Sequence, residues 1–257
     1  MTQEELKNLT AEVEKIVREV GGWVLSKQMV AKKAVDKEKG DYATDIDIEA
    51  EKKLISALSG LDENIGFETE EHTNGLDDTG EGLRWVIDPI DGTKNYFRKL
   101  ALWSVSVALY DADHKEVLAG VVYLPKNDDM FVAYKGGGSY RNSEKCQPSD
   151  VSDPQEAIVY CEPPNISRGD WDPEEFQKIM KTFYRVRSWG LAAALCYTAD
   201  GGFDAFIDIS RTMKNPDIMA PMIIAKEAGC LLSGFDIDDE LIDRRLIVTN
   251  SRLKVEL

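Results

Sequence analysis

Histidine is scarce in this chain, with only His72 and His114 among 257 residues. A zinc site built on several histidines is therefore excluded by count. The four cysteines are widely separated and form no C-x-x-C pair, which disfavours a cysteine-rich zinc site. Neither histidine accompanies a Gly-x-Ser-x-Gly element, and both have charged or turn-forming neighbours. The sequence therefore predicts that both lie in exposed loops rather than in a catalytic triad.

Long apolar runs and an excess of basic charge are also absent. No apolar stretch approaches the roughly 20 residues needed to span a bilayer, and the N-terminal residues lack a basic region followed by an apolar run. With the separated cysteines, these absences predict a cytoplasmic protein with reduced thiols. Acidic side chains number 47 against 31 basic ones, a net charge of −16. We therefore expect neither nucleic acid nor a membrane as a partner, and a phosphorylated substrate would be repelled unless cations reversed the local field.

The hydrophobic pattern predicts two halves of different character. Residues 4–35 predict a long amphipathic helix, or two helices separated at Gly21-Gly22, and period-two alternation after residue 103 predicts an antiparallel meander. From residue 157 onward, short strands alternate with helices, as in an α/β unit. Because the intervening residues 141–156 are polar and contain two prolines, we place the boundary there. The predicted halves are residues 1–145, with most of the acidic candidates, and residues 146–257.

One acidic stretch, residues 84–95, combines a buried strand with a sharp turn. Trp85-Val86-Ile87 is a short apolar run, and Pro89 keeps Asp88 extended because the residue before a proline avoids the α region. Asp91 follows, and then Gly92 precedes Thr93, which we predict to be the N-cap of a helix. Two carboxylates next to unpaired backbone N–H groups predict a place for a cation and an oxyanion together.

Other acidic residues lie at the ends of predicted strands or the starts of predicted helices. Asp47, three residues after Thr44, and Asp217, after Asn215 and Pro216, both have a local explanation in helix capping. Glu70 and Glu71 follow a predicted strand, where a solvated loop is an equally good interpretation. If these groups met, their repulsion would require retained protons or bound cations. Oxygen ligands with almost no histidine indicate Mg²⁺ or Mn²⁺.

These elements resemble the inositol monophosphatase family, within the lithium-sensitive phosphatases that include fructose-1,6-bisphosphatase. The resemblance lies in Glu70-Glu71, in Asp88-Pro89-Ile90-Asp91-Gly92-Thr93 and in the late Asp217, and it extends over nearly the whole chain. It implies an α+β fold, a layered α-β-α-β-α sandwich of two sheets with the metal site between the halves. It also implies a homodimer and a Mg²⁺-dependent phosphomonoesterase with two or three metal ions.

The resemblance also implies roles for individual residues. Metal ligands would be Glu70, Asp88, Asp91, Asp217 and the carbonyl of Ile90. Thr93 and Asp47 would orient and deprotonate the attacking water, with Glu71 as a further catalytic residue. The backbone N–H groups of Gly92 and Thr93 would receive a phosphate oxygen. Asp91, Asp208 and the N–H of Ala192 would face the alcohol part of the substrate.

Departures from the family pattern leave the substrate open. Pro221, four residues after Asp217, removes a helical hydrogen bond and predicts a kink. The wide spacing from Asp208 to Asp217 resembles the branch that accepts both inositol monophosphate and fructose 1,6-bisphosphate. Alternatives on the same scaffold are phosphatases for 3′-phosphoadenosine 5′-phosphate or histidinol phosphate. From another class, the chain could be a non-catalytic regulator that binds metal and phosphate.

Overall fold

Six helices lie in the part of the chain that the computed structural model describes, residues 1–38, 41–72, 82–162, 173–210, 213–234 and 246–255. They are α1 (Gln3–Lys27), α2 (Asp45–Ser59), α3 (Thr93–Phe97), α4 (Pro173–Thr182), α5 (Leu191–Ala199) and α6 (Asn215–Ala228). No helix of these segments has both the length and the apolar character needed to cross a membrane.

Fourteen strands in the same segments form three sheets. They are β1 (Lys33–Glu38), β2 (Asp41–Thr44), β3 (Gly66–Thr69), β4 (Leu83–Asp91), β5 (Ser104–Asp111), β6 (Glu116–Leu124), β7 (Asp129–Tyr134), β8 (Gly138–Arg141), β9 (Glu144–Lys145), β10 (Ile158–Glu162), β11 (Arg185–Arg187), β12 (Ala205–Asp208), β13 (Leu231–Ser233) and β14 (Leu246–Thr249). The largest sheet runs in sequence order from β3 to β9, the second has the order β11-β10-β12-β14-β13, and β1 pairs with β2. In the largest sheet β3 and β4 are parallel and the other neighbours antiparallel.

The two larger sheets alternate with helices in five layers. Helices α1 and α2 cover one face of the seven-stranded sheet, where Val17 and Leu54 pack with Trp85. Helices α5 and α6 lie between the two sheets and share a core with both. Helix α4 covers the outer face of the five-stranded sheet, where Ile179 packs with Val159. This arrangement confirms the predicted α-β-α-β-α sandwich.

Strand β4 is buried on both faces because helices cover both. Trp85 and Ile87 face α1 and α2, whereas Val86 belongs to the middle layer. Successive side chains of a strand point to opposite faces, so Asp88 shares the side of Val86 and points toward the layer of α5 and α6. The run of apolar residues thus delivers one carboxylate into the space between the sheets.

The prediction of a helix over residues 4–35 is wrong at its C-terminal end. Helix α1 continues through Gly21 and Gly22 but ends at Lys27, and Lys33–Glu38 forms a strand paired with β2. The seven-stranded sheet ends at Lys145 and the other begins at Ile158, but α6 packs against both. The division into residues 1–145 and 146–257 therefore stays a prediction.

Candidate active site

Three carboxylates from distant parts of the chain meet at the ends of two strands and the start of a helix. One oxygen each from Glu70, Asp88 and Asp217 lie within 4.8 Å of one another. The N–H of Glu70 donates to the carbonyl of Ile87 at 3.1 Å, which extends the parallel pairing of β3 with β4 and places Glu70 beside Asp88. Asp217 enters from the first turn of α6. The structure thus brings together three of the predicted metal ligands.

Burial and nearby negative charge raise the pKa values of Asp88 and Asp217. The pKa of Asp88 is well above its usual range, first because the side chain is buried and then because Glu70, Asp91 and Asp217 are close. Burial, followed by the charge of Glu70, raises the pKa of Asp217 to about 8. Such a cluster must hold protons or a cation. Because every donor is a carboxylate oxygen, these residues fit a hard divalent cation such as Mg²⁺ or Mn²⁺.

Asp91 and Ile90 lie directly beside this group. Burial is the main cause that raises the pKa of Asp91 to about 7. One oxygen of Asp91 accepts hydrogen bonds from the N–H of Ala192 at 3.2 Å and from the hydroxyl of Ser104 at 3.3 Å. The N–H of Ile90 donates to Asp88 at 2.9 Å. Asp91 and Ala192 are thus brought together, and the N–H predicted to face the substrate alcohol donates to Asp91.

Buried Asp47 and half-buried Thr93 form a hydrogen-bonded pair next to the carboxylates. The hydroxyl of Thr93 donates to Oδ1 of Asp47 at 2.9 Å and also lies 3.1 Å from the carbonyl oxygen of Ile90. Oδ2 of Asp47 accepts the N–H of Thr44 at 2.9 Å and the Thr44 hydroxyl, so the same carboxylate caps α2. Burial raises the pKa of Asp47 to about 6, although its hydrogen bonds with Thr44 and Thr93 act in the opposite direction.

The turn at Gly92 positions Thr93, but not in the way the sequence predicts. Thr93 is the first residue of α3, and Gly92 is the N-cap, with a left-handed φ of 82°. A Cβ on Gly92 would also lie 3.1 Å from the carbonyl oxygen of Leu102. The left-handed φ favours glycine here, and the short Cβ distance adds to the cost of any other residue. Because Thr93 does not cap the helix, its hydroxyl is directed to Asp47.

The capping of α6 also differs from the prediction. Lys214, not Asn215, is the N-cap, and its N–H donates to Asp217 at 2.6 Å. One oxygen of Asp217 thus caps the helix, as one oxygen of Asp47 caps α2. The helix runs through Pro221 to Ala228.

Two further candidates, Asp208 and Glu71, are not part of the group of three carboxylates. Asp208 is fully buried at the end of β12, where it accepts the N–H of Ser210 at 3.0 Å. The N–H of Glu71 donates to the side chain of Glu51 at 2.8 Å. His72 and His114 are exposed, which confirms the prediction for both.

Two features escaped the sequence reasoning. The side-chain amide of Asn215 donates to Glu68 at 2.8 Å, and Arg84 lies 3.7 Å from the same carboxylate, so the start of α6 is tied to β3 and β4. At the end of β10, Glu162 accepts a hydrogen bond from Tyr160. The signal for Glu162 was present in the sequence, since it directly follows a predicted strand.

Comparison with known proteins gives consistent results. Residues 4–257 match the family model described as the inositol monophosphatase family. The fructose-1,6-bisphosphatase/inositol-1-monophosphatase of Aquifex aeolicus is 35% identical over 85% of this chain and 83% of its own. The Nus factor SuhB of Haemophilus influenzae is 28% identical over 92% and 89%. The crystal structure of extragenic suppressor protein suhB from Bartonella henselae superposes with a TM-score of 0.82, covering 96% of this chain and 95% of that one at 24% identity.

Proposed function

The chain belongs to the inositol monophosphatase family, and on that premise we propose that it is a Mg²⁺-dependent phosphomonoesterase acting on inositol monophosphate, fructose 1,6-bisphosphate or both. The observation that carries this proposal is the Asp47–Thr93 pair beside a cluster of carboxylates. A site that only bound metal and phosphate would need the carboxylates but not a hydroxyl hydrogen-bonded to a buried acceptor. The pair therefore supports hydrolysis.

The acidic residues would hold the metal ions. By the resemblance to the family, Glu70, Asp88 and the carbonyl of Ile90 would hold one ion, and Asp88, Asp91 and Asp217 would hold a second. Oxygens of Glu70, Asp88 and Asp217 lie within 4.8 Å of one another. When bound, Mg²⁺ supplies positive charge that attracts the phosphate, stabilises the leaving oxygen and makes water more acidic. This charge also offsets the net charge of −16, which otherwise disfavours an anionic substrate.

Thr93 and Asp47 would move the proton of the attacking water. The hydroxyl already donates to Oδ1 of Asp47. When the hydroxyl oxygen of Thr93 accepts a proton from the attacking water, the original hydroxyl proton of Thr93 would pass to Oδ1 of Asp47. Because burial raises the pKa of Asp47 to about 6, the carboxylate is ionised near neutral pH yet basic enough to accept a proton.

The substrate would lie between the Gly92 turn and the five-stranded sheet. The N–H groups of Gly92 and Thr93 would receive a phosphate oxygen, and Asp208 would face the alcohol part. Asp91, which accepts a hydrogen bond from the N–H of Ala192, would lie between the phosphate and the alcohol part of the substrate. Lithium sensitivity and a homodimer follow from the family alone and belong to the proposal.

A second candidate function comes from the relatives. Two relatives, from Haemophilus influenzae and Vibrio cholerae, carry the name Nus factor SuhB, which is not the name of an enzyme, and we keep the non-catalytic regulator as the alternative. The excess of acidic charge disfavours direct binding to nucleic acid by such a regulator. The regulator would not require the Asp47–Thr93 pair, so loss of function on removing that pair separates the two candidates.

The direct test is phosphate release from a panel of substrates. The panel contains inositol 1-phosphate, fructose 1,6-bisphosphate, histidinol phosphate and 3′-phosphoadenosine 5′-phosphate, each with Mg²⁺ and with a chelator. We expect turnover of inositol 1-phosphate, of fructose 1,6-bisphosphate or of both, and only with the metal. Turnover restricted to the third or fourth substrate would identify a same-scaffold alternative. No turnover of any substrate in Mg²⁺ would overturn the proposed activity.

A further inference from the structure

Glu162 lies at the edge of the candidate active site, beside Asp208. The two residues are register partners at the ends of the parallel strands β10 and β12, so their side chains leave the sheet on the same face. Two positions earlier on that face, Tyr160 and Phe206 belong to the middle layer between the sheets. Glu162 and Asp208 therefore project toward the space that also contains Asp91.

Tyr160 fixes the orientation of Glu162. The ring of Tyr160 is fully buried, stacks on Phe206 with centroids 5.0 Å apart and an interplanar angle of 9°, and meets Phe203 edge-on at 6.1 Å. Its hydroxyl donates to Oε2 of Glu162. Burial and then the charge of Glu162 raise the pKa of the Tyr160 phenol far above its usual range, so it remains a proton donor. The carboxylate is thus held by a rigid donor and retains the capacity to accept further hydrogen bonds.

A chain of contacts connects this pair with the turn that would hold the phosphate. In α3, the side chain of Asn95 donates to the carbonyl of Trp189 at 2.8 Å and to that of Leu102 at 2.7 Å. The ring of Trp189 meets Phe203 edge-on at 5.6 Å, and Phe203 contacts Tyr160. The end of β10 is therefore tied to the helix that begins at Thr93.

The charges around Glu162 agree with this position. Burial raises the pKa of Glu162, and Tyr160 and Lys94, the residue after Thr93, lower it. The charge of Glu162 in turn contributes to the raised pKa of Asp91. Glu162 therefore lies near Asp91 and Lys94, but it is not part of the Glu70, Asp88 and Asp217 group.

We propose that Glu162, oriented by Tyr160, accepts a hydrogen bond from a hydroxyl of the substrate alcohol and thereby favours phosphorylated polyols over simple phosphomonoesters. This inference rests on the proposed phosphatase activity. A fixed carboxylate in a partly buried site binds a substrate hydroxyl well. When the substrate has no hydroxyl at that position, the carboxylate lacks a hydrogen-bond donor, and binding is weaker. Glu162 is then a specificity-determining residue, and Tyr160 is its positioning residue.

The test compares a polyol substrate with one that lacks hydroxyls on its alcohol part. We would measure kcat/KM for inositol 1-phosphate and for para-nitrophenyl phosphate in wild type, Glu162→Gln and Tyr160→Phe. Glu162→Gln keeps the shape but loses the charge, and we expect the ratio of the two kcat/KM values to fall about tenfold or more, mainly through KM for the polyol. Tyr160→Phe should lower the ratio in the same direction, and the double variant should fall by less than the product of the two single effects. Exposed Glu156, which precedes β10, provides the matched control Glu156→Gln, which should leave the ratio unchanged.

The outcomes separate the inference from the activity on which it rests. A wild-type enzyme that hydrolyses neither of these substrates nor fructose 1,6-bisphosphate in Mg²⁺ would overturn the proposed function itself, and if only fructose 1,6-bisphosphate is turned over, it replaces inositol 1-phosphate as the polyol substrate. If wild type hydrolyses both and Glu162→Gln lowers the two kcat/KM values equally, the residue has only a structural role and the inference is overturned. Thermal unfolding of each variant shows whether lost stability accounts for lost turnover, and an unchanged ratio overturns the inference whatever the stability.

Discussion

The hydroxyl of Thr93 lies 2.9 Å from Oδ1 of Asp47, although 46 residues separate them in the sequence. The carboxylate joins two helix starts, because its other oxygen caps α2 through Thr44. Capping would explain Asp47 completely on its own, but it does not explain why the second oxygen accepts the first side chain of α3. That second contact is the one that a hydrolytic role would use.

Removal of the Thr93 hydroxyl should lower turnover more than binding. We expect Thr93→Ala to reduce kcat about 100-fold or more, with a much smaller change in KM, because the hydroxyl would act in proton transfer. Steady-state kinetics with the best substrate of the panel would measure both parameters.

Thr93→Ser is the matched control for this prediction, since it keeps the hydroxyl and loses only a methyl group. It should retain most of the activity. An effect of Thr93→Ala confined to KM would contradict a role in water activation.

Asp88 is the carboxylate that would contact both metal ions. Asp88→Asn should abolish detectable activity at all practical Mg²⁺ concentrations, because an amide has the shape of the ligand without its charge. Calorimetric titration with Mg²⁺ should show a parallel loss of binding. Asp62→Asn, in an exposed turn, is a control of the same chemistry and should behave as wild type. Activity near the wild-type level in Asp88→Asn would show that the ligand assignment is wrong.

Without metal, the protein should become less stable as the pH rises from about 4 to 8. The folded-state pKa values of Asp47, Asp91 and Asp217 are about 6, 7 and 8, all above the ordinary value of 3.8. The folded state therefore binds more protons than the unfolded state in this range, so the free energy of unfolding falls as pH increases. The stabilising contribution of the protonated carboxyls is complete below pH 3.8 and is lost step by step as the pH passes through about 6, 7 and 8.

Mg²⁺ should reverse this trend, because it replaces the protons with bound positive charge. We expect the increase in Tm on adding Mg²⁺ to be several degrees larger at pH 8 than at pH 5. Thermal unfolding in chelator and in Mg²⁺ at both pH values would measure it. Equal increases at the two pH values would show that the carboxylates do not exchange protons for metal.

The sequence predicts most element positions because their causes are local, whereas the layered arrangement was predicted only through the resemblance to the family. Alternation in residues 103–110 and helical spacing in residues 191–199 reappear as β5 and α5. Strand β1 was missed because its polar sequence is stabilised by pairing with β2, a contact that local periodicity does not contain. Thr93 was assigned as N-cap for the same reason, because its partner Asp47 is remote.

The site was predictable as a set of residues and not as an arrangement. Asp47 and Asp217 both occupy capping positions, so their local pattern is the same whether or not they meet other carboxylates. The resemblance to a family, rather than the pattern, indicated that Asp217 joins Glu70 and Asp88. Glu162 follows a predicted strand but matches no motif, and only the pairing of β10 with β12 shows that it lies beside Asp208.

The contact of Asn215 with Glu68 should tune metal binding. The amide holds the start of α6 against β3 at 2.8 Å, and thus positions Asp217 relative to Glu70. We expect Asn215→Ala to raise the Mg²⁺ concentration for half-maximal activity about tenfold, while kcat at saturating Mg²⁺ changes little. Asn8→Ala, an exposed asparagine in α1, is the control. An unchanged Mg²⁺ dependence in Asn215→Ala would mean that the contact does not position the ligand.

Helix α6 packs closely against β6, and this contact should also affect the position of Asp217, which α6 carries. A Cβ on Gly120 would lie 2.5 Å from the carbonyl oxygen of Ala220, so Gly120→Ala must displace the helix that carries Asp217. We expect it to destabilise the protein by about 1–3 kcal/mol and to weaken Mg²⁺ activation. Gly22→Ala is the matched control, because a Cβ there meets nothing within 4 Å inside α1, and it should stabilise the protein by up to about 1 kcal/mol. Chemical denaturation and Mg²⁺ titration would test both variants. A Gly120→Ala protein with wild-type stability would show that the close packing of the β6 and α6 backbones is not needed for stability.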